Sequence, residues 1–221
     1  MFDITKLALK IPNFLTHEEC DGLINEFEER KDEAGVEYSG NANTGEVKYS
    51  NFKVVEILPK TNNFNFIKLK TQEAIGKYIE YLSTPNYFFT KALKENLQYS
   101  HKYRIMKYEK GASIHPHSDH EQSTYGSISF NLNNNYEGGE FKFFNGNHTI
   151  SLGKGDALIF PADFFWVHEV TPVTKGSRYS INSFIKSSPS EAQRNARYVG
   201  DLIIKDYLQN TPPEELLGPY N

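Results

Sequence analysis

Two histidines and an aspartate are spaced so that they can share one metal ion. His117 and Asp119 stand two residues apart in the run Ser113–Asp119, whose composition predicts a β-strand. Because side chains at i and i+2 of a strand point the same way, these two groups should converge. His168, in a second apolar run of β character, can supply a third ligand. Two imidazoles and a carboxylate form the facial set that holds non-haem iron(II) and leaves coordination positions open.

A cation and a hydroxyl follow that set at a spacing suited to a dicarboxylate. Arg178 and Ser180 come ten and twelve residues after His168, on the next predicted strand, where they face one side together. A 2-oxo dicarboxylate that chelated the metal through its keto end would bury its far carboxylate, and a buried charge without a partner is costly. A fork-shaped guanidinium with a hydroxyl meets that need. Tyr108 is expected to add a phenolic hydrogen bond.

Spacing alone leaves other assignments of these residues open. His115 shares strand parity with His117, and His120 lies beside the same cluster, so either histidine could replace a ligand. Arg178 could make an ordinary surface ion pair. A zinc hydrolase or a non-catalytic cupin-like binding module could also use two histidines and a carboxylate. The Arg178-x-Ser180 pair argues against both classes, since neither needs a buried clamp for a dicarboxylate.

The first ninety residues are predicted to form a mixed α and β support. Thr16 and Glu19 make a capping-box signal at a helix start, and Gly35 is the expected end of that helix. The polar stretch from Ser39 to Ser50 is predicted to be a mobile loop that covers another part of the molecule. The other elements predicted here are an entering strand at 11–15, a strand at 52–58 and a helix at 66–82.

From residue 97 onward the pattern changes to short β-prone runs separated by turn residues. Eight runs lie at 99–108, 113–119, 126–133, 140–144, 148–151, 157–160, 165–170 and 179–185. Their number and spacing favour a jelly-roll sandwich or barrel. Asn145-Gly146 is typical of a tight hairpin, and Glu137-Gly138-Gly139-Glu140 is interpreted as a tight connection. A last helix is predicted from Pro189 to Leu208, and the predicted fold class is α+β.

Composition limits the classes of partner. The 24 basic and 28 acidic residues, with a net charge of -4, are scattered, which argues against nucleic acid or an anionic membrane as partner. No apolar run approaches the roughly 20 residues that span a bilayer, and the N-terminus does not resemble a signal peptide. We expect a cytoplasmic protein of one domain, 1–221, with support at about 1–95, a core at about 97–186, and a helix and tail at about 187–221. Cys20, the single cysteine, is expected to be buried on a helical apolar stripe.

Taken together, these segments resemble the prolyl 4-hydroxylase family of iron(II)- and 2-oxoglutarate-dependent dioxygenases. The resemblance covers about residues 11 to 186. It rests on these segments: Ile11-Pro-Asn-Phe-Leu-Thr-His-Glu-Glu-Cys20, Tyr108-Glu-Lys-Gly111, His117-Ser-Asp119, Asn133 with Glu137-Gly-Gly-Glu140, Gly155-Asp-Ala-Leu-Ile-Phe160, His168-Glu-Val-Thr-Pro172 and Gly176-Ser-Arg178-Tyr-Ser180. Many members have lysine where this chain has Arg178, which leaves the role of the residue unchanged.

The resemblance implies a double-stranded β-helix, or jelly-roll, core with supporting helices. It implies iron(II) ligated by His117, Asp119 and His168, and 2-oxoglutarate bound by Arg178, with O2 as co-substrate and ascorbate as a reductant. The acceptor it favours is C4 of a proline in a peptide or protein, lying extended across the barrel mouth beneath the loops at 39–50 and 120–125. A free amino acid or another small molecule is the alternative acceptor. The sequence predicts no oligomeric state.

Overall fold

Fourteen strands and three α-helices occupy residues 3–84, 89–121 and 123–187, the part of the chain that this computed structural model describes. The helices are α1 (His17–Glu29), α2 (Asn62–Ser83) and α3 (Thr90–Asn96). The strands are β1 (Leu9–Ile11), β2 (Tyr38–Gly40), β3 (Val47–Tyr49), β4 (Lys53–Glu56), β5 (Tyr99–Tyr108), β6 (Ile114–His117), β7 (Thr124–Asn131), β8 (Glu137–Gly138), β9 (Phe141–Phe143), β10 (His148–Ile150), β11 (Ala157–Pro161), β12 (His168–Val170), β13 (Val173–Lys175) and β14 (Arg178–Lys186).

The strands make two main antiparallel sheets. The major sheet has six strands in the order β1-β11-β7-β14-β5-β4, and the minor sheet has four in the order β10-β9-β12-β6. Two short ladders, β13 with β8 and β2 with β3, complete the pairings. Apart from β4 with β5 and β9 with β10, neighbours in these two sheets are not consecutive along the chain, as in a jelly roll. The predicted α+β fold class with a jelly-roll core is confirmed.

Side chains alternate between the two faces of the major sheet, and the two faces have different surroundings. On β7, Ile128 and Phe130 belong to an apolar cluster with the helices, while the serines and asparagine between them face the other way, as the period of two requires. A second apolar cluster joins that other face to the minor sheet, through Phe160 of β11 and Phe143 of β9. The molecule therefore has three layers, helices, major sheet and minor sheet, and a polar cavity lies between the two sheets.

The first helix begins where the sequence predicted, but its end and the position of the entering strand differ from the prediction. The Thr16 hydroxyl accepts from the Glu19 amide at 3.1 Å and the Glu19 carboxylate accepts from the Thr16 amide at 2.8 Å, which confirms the capping box. The helix ends at Glu29, well before Gly35, because Arg30 caps it and its guanidinium donates to the Glu56 carbonyl at 2.7 Å. The entering strand lies at Leu9–Ile11, not at 11–15, because the backbone turns at Asn13, where φ is 51°.

The prediction of an irregular loop at 39–50 is wrong. Tyr38, Ser39 and Gly40 of β2 pair with Tyr49, Lys48 and Val47 of β3. The tip closes through two hydrogen bonds, in which the Asn41 amide donates to the Glu46 carbonyl and the Gly45 amide donates to the Asn41 carbonyl, both at 2.8 Å. The Gly and Asn residues that indicated a loop supply the turn of a hairpin instead.

Four further differences separate the predicted elements from the observed ones. Strand β6 ends at His117, so Asp119 is not part of it, and β12 begins only at His168. Helix α3 and the ladder of β8 with β13 were not predicted, so the 137–140 segment is more than a connection. Cys20 is fully buried, as expected. The predicted helix from Pro189 to Leu208 lies outside the described residues, and no described helix has the length and hydropathy of a membrane span.

Candidate active site

Three predicted ligands meet at one end of the cavity. His117, at the end of β6, and His168, at the start of β12, are directly paired across the two strands. Asp119 follows two residues after His117, beyond the end of β6, and its carboxylate lies beside both imidazoles. Asp119 Oδ1 lies 3.4 Å from His117 Nε2, and Asp119 Oδ2 lies 3.6 Å from His168 Nε2. One potential ligand atom from each residue lies within 4.8 Å of the others.

Hydrogen bonds orient each member of this cluster. His117 Nδ1 lies 2.9 Å from the His115 carbonyl, and His168 Nδ1 lies 3.0 Å from the Trp166 carbonyl. Since a carbonyl only accepts, each Nδ1 carries the proton and each Nε2 keeps its lone pair for a metal. The Ser127 hydroxyl donates to Asp119 Oδ2 at 2.6 Å.

The electrostatics of the cluster favour a neutral His168 and a charged Asp119. Burial, with His117 next to it, lowers the pKa of His168 to about 4, so this imidazole is neutral at pH 7. Burial alone would raise the pKa of Asp119, but the two histidines and the Ser127 hydroxyl lower it below the usual range. Burial opposes protonation of His117 as well, yet Asp119 raises its pKa. The carboxylate is therefore charged, and two imidazoles with one carboxylate fit iron(II).

Arg178 lines the same cavity as the three ligand candidates. Its side chain is 1% exposed, and Nε donates to Asn131 Oδ1 at 3.1 Å. The rings of Tyr108 and Phe141 lie 5.3 and 5.4 Å from the guanidinium carbon. Within the described part of the chain, neither terminal guanidinium nitrogen has a hydrogen-bond partner. Buried donors of a charged group are rarely left unpaired, so this part of the cavity fits an anion.

Two serine hydroxyls share that unpaired state. Ser180 Oγ and Ser129 Oγ are buried and have no partner among the residues described. Ser180 is two residues from Arg178 on the same face of β14, as predicted, and Ser129 lies on the neighbouring strand β7. Ser129 also lines the cavity with Arg178 and the three ligand candidates.

Tyr108 lies where the sequence predicted but makes a different contact. Its hydroxyl lies 3.8 Å from the sulfur of Met106, a weak interaction, and its ring stacks on Phe52 at 4.4 Å between centroids. Burial raises the pKa of this phenol to about 12, so it remains a neutral donor. Its hydrogen bond to a ligand remains a prediction.

The two alternative histidines are placed outside the metal cluster. His115 Nε2 pairs with the Ser39 hydroxyl of the hairpin at 3.1 Å. His120 is exposed, and its ring lies 6.0 Å from that of Phe164. Neither contributes to the one group of potential metal ligands found in residues 3–84, 89–121 and 123–187.

A cavity of about 870 Å³ contains both parts of the site. Its lining includes His117, Asp119, His168 and Arg178, and it extends outward to the hairpin of β2 and β3. The volume is that of an ordinary small-molecule site. A co-substrate and part of a second substrate can therefore occupy it together.

Sequence reasoning missed several residues of this site. Ser127, Ser129 and Asn131 all lie on one face of β7, and Ser127 and Asn131 contact predicted site residues. The sequence did contain a pattern that could have identified them. Small polar residues alternate with Ile128 and Phe130, which predicts a strand with one apolar face and one polar face. The buried Arg104, on β5, was missed as well.

A glycine beside Arg178 was also overlooked. Gly139 has φ +72°, and a Cβ there would lie 2.9 Å from Arg178 Cδ and 3.2 Å from a ring atom of Tyr136. Both the backbone conformation and the close approach of the arginine stem require glycine at this position. The 137–140 segment thus forms part of the wall that holds Arg178.

Known proteins match this chain in sequence and in fold. Residues 103–186 match the 2OG-Fe(II) oxygenase superfamily. A PKHD-type hydroxylase of Cupriavidus pinatubonensis is 32% identical over 117 residues, which are 49% of this chain and 50% of that protein. A multifunctional procollagen lysine hydroxylase and glycosyltransferase of Rattus norvegicus is 28% identical over 77% of this chain and 22% of its own length. The chain therefore spans half or less of these two relatives.

Two solved structures share the fold at low identity. A Pseudomonas putida prolyl-4-hydroxylase has a TM-score of 0.59 and 17% identity, covering 81% of this chain and 92% of its own. A Trichoplax adhaerens prolyl hydroxylase, in complex with a hypoxia inducible factor peptide fragment, also has a TM-score of 0.59 and 17% identity, covering 89% and 88%. With the sequence matches, they support the resemblance stated from the motifs. Over residues 103–186 this chain is thus similar to the 2OG-Fe(II) oxygenase superfamily, and its fold is that of the two solved prolyl hydroxylases.

Proposed function

We propose that this protein is an iron(II)- and 2-oxoglutarate-dependent dioxygenase that hydroxylates an unactivated C–H bond. The observation that carries the proposal is the buried Arg178 guanidinium, whose two terminal nitrogens lack partners in the described structure and lie in the same cavity as His117, Asp119 and His168. A hydrolytic zinc site has no use for such a cation, because it needs only a metal-bound water and a substrate carbonyl.

Each residue of the site has a defined part in this reaction. Iron(II) with 2-oxoglutarate supplies the activation of O2, of which one oxygen atom goes to succinate, formed with CO2, and the other enters the C–H bond. His117, Asp119 and His168 would hold the metal by one face, and Ser127 would keep the Asp119 carboxylate in its orientation. Arg178 would neutralise the far carboxylate of the co-substrate, assisted by Ser180 and Tyr108.

For the acceptor we propose C4 of a proline in a peptide or protein. The resemblance to prolyl 4-hydroxylases supports this choice, as does the likeness to the Trichoplax adhaerens structure, which holds a peptide fragment. An extended peptide could cross the cavity mouth beside the hairpin, where Tyr38 and Tyr49 are 70% and 78% exposed, since aromatic surfaces bind extended proline-containing segments well. A free amino acid or another small molecule is the alternative.

The metal assignment is tested with Asp119→Ala. Removing the carboxylate should abolish iron(II) binding and all succinate formation, because two imidazoles alone make a weak and incomplete site. His120→Ala is the matched control, since His120 is adjacent in sequence but outside the ligand cluster. Turnover in Asp119→Ala comparable to that of the unaltered protein would refute the assignment.

The co-substrate assignment is tested with Arg178→Ala. The KM for 2-oxoglutarate should rise by at least a hundredfold, as expected for loss of a charge-assisted bidentate contact of about 3 kcal/mol. Iron(II) affinity should stay within a few-fold. An unchanged KM would contradict the role of Arg178.

The acceptor is identified by direct assay. The iron(II)- and 2-oxoglutarate-loaded protein is exposed to O2 with a library of proline-containing peptides and, separately, with free amino acids. Mass spectrometry then detects the gain of one oxygen atom, and succinate is measured in parallel. Oxidation of peptides at proline supports the proposed acceptor, whereas oxidation of free amino acids alone replaces it with the alternative.

A further inference from the structure

A second buried arginine lines the cavity away from Arg178. Arg104, on β5, is 4% exposed, and its guanidinium makes an ion pair with the Glu37 carboxylate. Its Nε donates to Asn182 Oδ1 at 3.1 Å, and its guanidinium carbon lies 5.0 Å from the centre of the Phe184 ring. All four side chains line the same cavity. The three metal-ligand candidates and Arg178 do not account for this arrangement.

Arg104 is out of reach of a dicarboxylate bound at Arg178. Arg178 is paired with Tyr108 across β14 and β5, and Arg104 lies four residues before Tyr108, which is about 13 Å along a strand. The two guanidinium groups also lean apart, toward Tyr108 in one case and toward Phe184 in the other. A five-carbon chain spans only about 5 Å between its terminal carbons. Arg104 therefore belongs to the part of the cavity left for the acceptor.

Glu37, the partner of Arg104, is the base of the hairpin formed by β2 and β3. The Glu37 carbonyl accepts from the Ser50 amide at 2.6 Å, and the Glu37 amide donates to the Ser50 hydroxyl at 3.0 Å, just outside the Tyr38–Tyr49 pair. Lys102 approaches the same carboxylate at 3.9 Å. The hairpin is thus attached at its base to the major sheet by a buried charge.

The same hairpin is attached on its other side to the strand that carries His117. The Ser39 hydroxyl pairs with His115 Nε2 at 3.1 Å, and the Ala42 amide donates to the Pro116 carbonyl at 2.7 Å. Both partners lie on β6. The hairpin therefore reaches from β5 of the major sheet to β6 of the minor sheet.

We propose that the Arg104–Glu37 ion pair positions this hairpin over the acceptor side of the cavity, so that Arg104 and Glu37 are positioning residues for acceptor binding and have no part in holding 2-oxoglutarate. The inference rests on the proposed function in treating the cavity as the active site. Neutralising either partner removes the ion pair that joins Glu37 to β5, which frees the base of the hairpin. Acceptor binding then weakens while the metal and co-substrate ends stay intact.

The test compares Arg104→Gln, Glu37→Gln and the double variant with Lys107→Gln as a matched control. Lys107 is a cation on the same strand, but it pairs with Glu28 outside the cavity at 2.9 Å. Hydrogen exchange of the amides at 37–50 should speed up at least tenfold in both single variants and stay unchanged in Lys107→Gln. Arg104→Lys retains a cation beside Glu37 and should show an intermediate effect, which covers the case in which Arg104→Gln does not fold.

Kinetics supply the readout that a purely structural role would not change selectively. In the Arg104 and Glu37 variants, the KM for the peptide acceptor should rise at least tenfold, while the KM for 2-oxoglutarate without acceptor stays within twofold. Unchanged exchange at 37–50, or equal increases in the two KM values, would overturn the inference. Exchange is measured without turnover, so a protein with no dioxygenase activity would refute the proposed function while the positioning role would still be decided.

Discussion

Asn131 Oδ1 accepts a hydrogen bond from Arg178 Nε at 3.1 Å, and this contact aims the free end of the guanidinium into the cavity. The amide orientation is unambiguous, because Asn131 Nδ2 donates to the carbonyls of Asn133, Leu152 and Gly153 at 2.6, 3.3 and 3.1 Å. Tyr136 donates to the same Oδ1 at 3.1 Å. A neutral side chain thus orients Arg178 without forming an ion pair with it, so the positive charge can pair with a ligand.

Asn131→Ala should raise the KM for 2-oxoglutarate about tenfold and lower the free energy of unfolding by about 1–3 kcal/mol, the cost of leaving buried groups unpaired. Steady-state kinetics and urea unfolding measure the two effects. Asn133→Ala is the control. The Asn133 side chain donates to the Ser177 carbonyl at 2.7 Å and accepts from the Tyr179 amide at 2.8 Å, so these two hydrogen bonds go to the backbone and not to Arg178. A similar rise in KM in both variants would mean that only general stability is involved.

Gly139→Ala should disturb Arg178 through its stem. The new Cβ would meet Arg178 Cδ at 2.9 Å, so the guanidinium must move, and the KM for 2-oxoglutarate should increase about tenfold or more. Gly146→Ala is a matched control with φ +86° and no atom nearer than 4.0 Å. Both variants should lose about 1 kcal/mol of stability through backbone strain, but only Gly139→Ala should change the KM.

Ser127→Ala should weaken iron(II) binding without abolishing it. The serine hydroxyl holds Asp119 Oδ2 at 2.6 Å, and loss of such an outer contact reduces metal affinity about 10- to 100-fold. Competition with a metal-chelating dye gives the affinity. Ser129→Ala, two residues away on the same face of β7, should leave it unchanged, and equal losses in both would contradict the assigned contact.

The metal-free protein should lose stability as the pH falls from 6.5 to 4.5. Unfolded histidines take up protons near pH 6.5, whereas burial keeps the pKa of His168 in the folded chain at about 4. Asp119 raises the pKa of His117, a shift of the opposite sign, so His117 does not contribute to this loss. One proton of difference corresponds to about 1.4 kcal/mol per pH unit. Urea unfolding with a chelator should show this slope, and His168→Gln should reduce it by that amount.

The local sequence determined the spacing of the chemistry and much of the fold. The pairs His117 with Asp119 and Arg178 with Ser180 were recognisable because short chain separations limit where side chains can go. Thr16 and Glu19 marked a helix start correctly for the same reason, since both partners of the cap lie within one turn. The alternation on β5, β7 and β14 similarly follows from strand geometry alone.

Only the tertiary structure decided which residues complete the site. Asn131 meets Arg178 across 47 positions of sequence and Glu37 meets Arg104 across 67, and no local pattern encodes such pairings. His117 and His168 come together only because β6 pairs with β12, and Asp119 joins them from outside the strand. The hairpin at 38–49 forms because β6 and Arg104 provide partners for it, whereas its own polar, glycine-containing sequence is equally compatible with a loop.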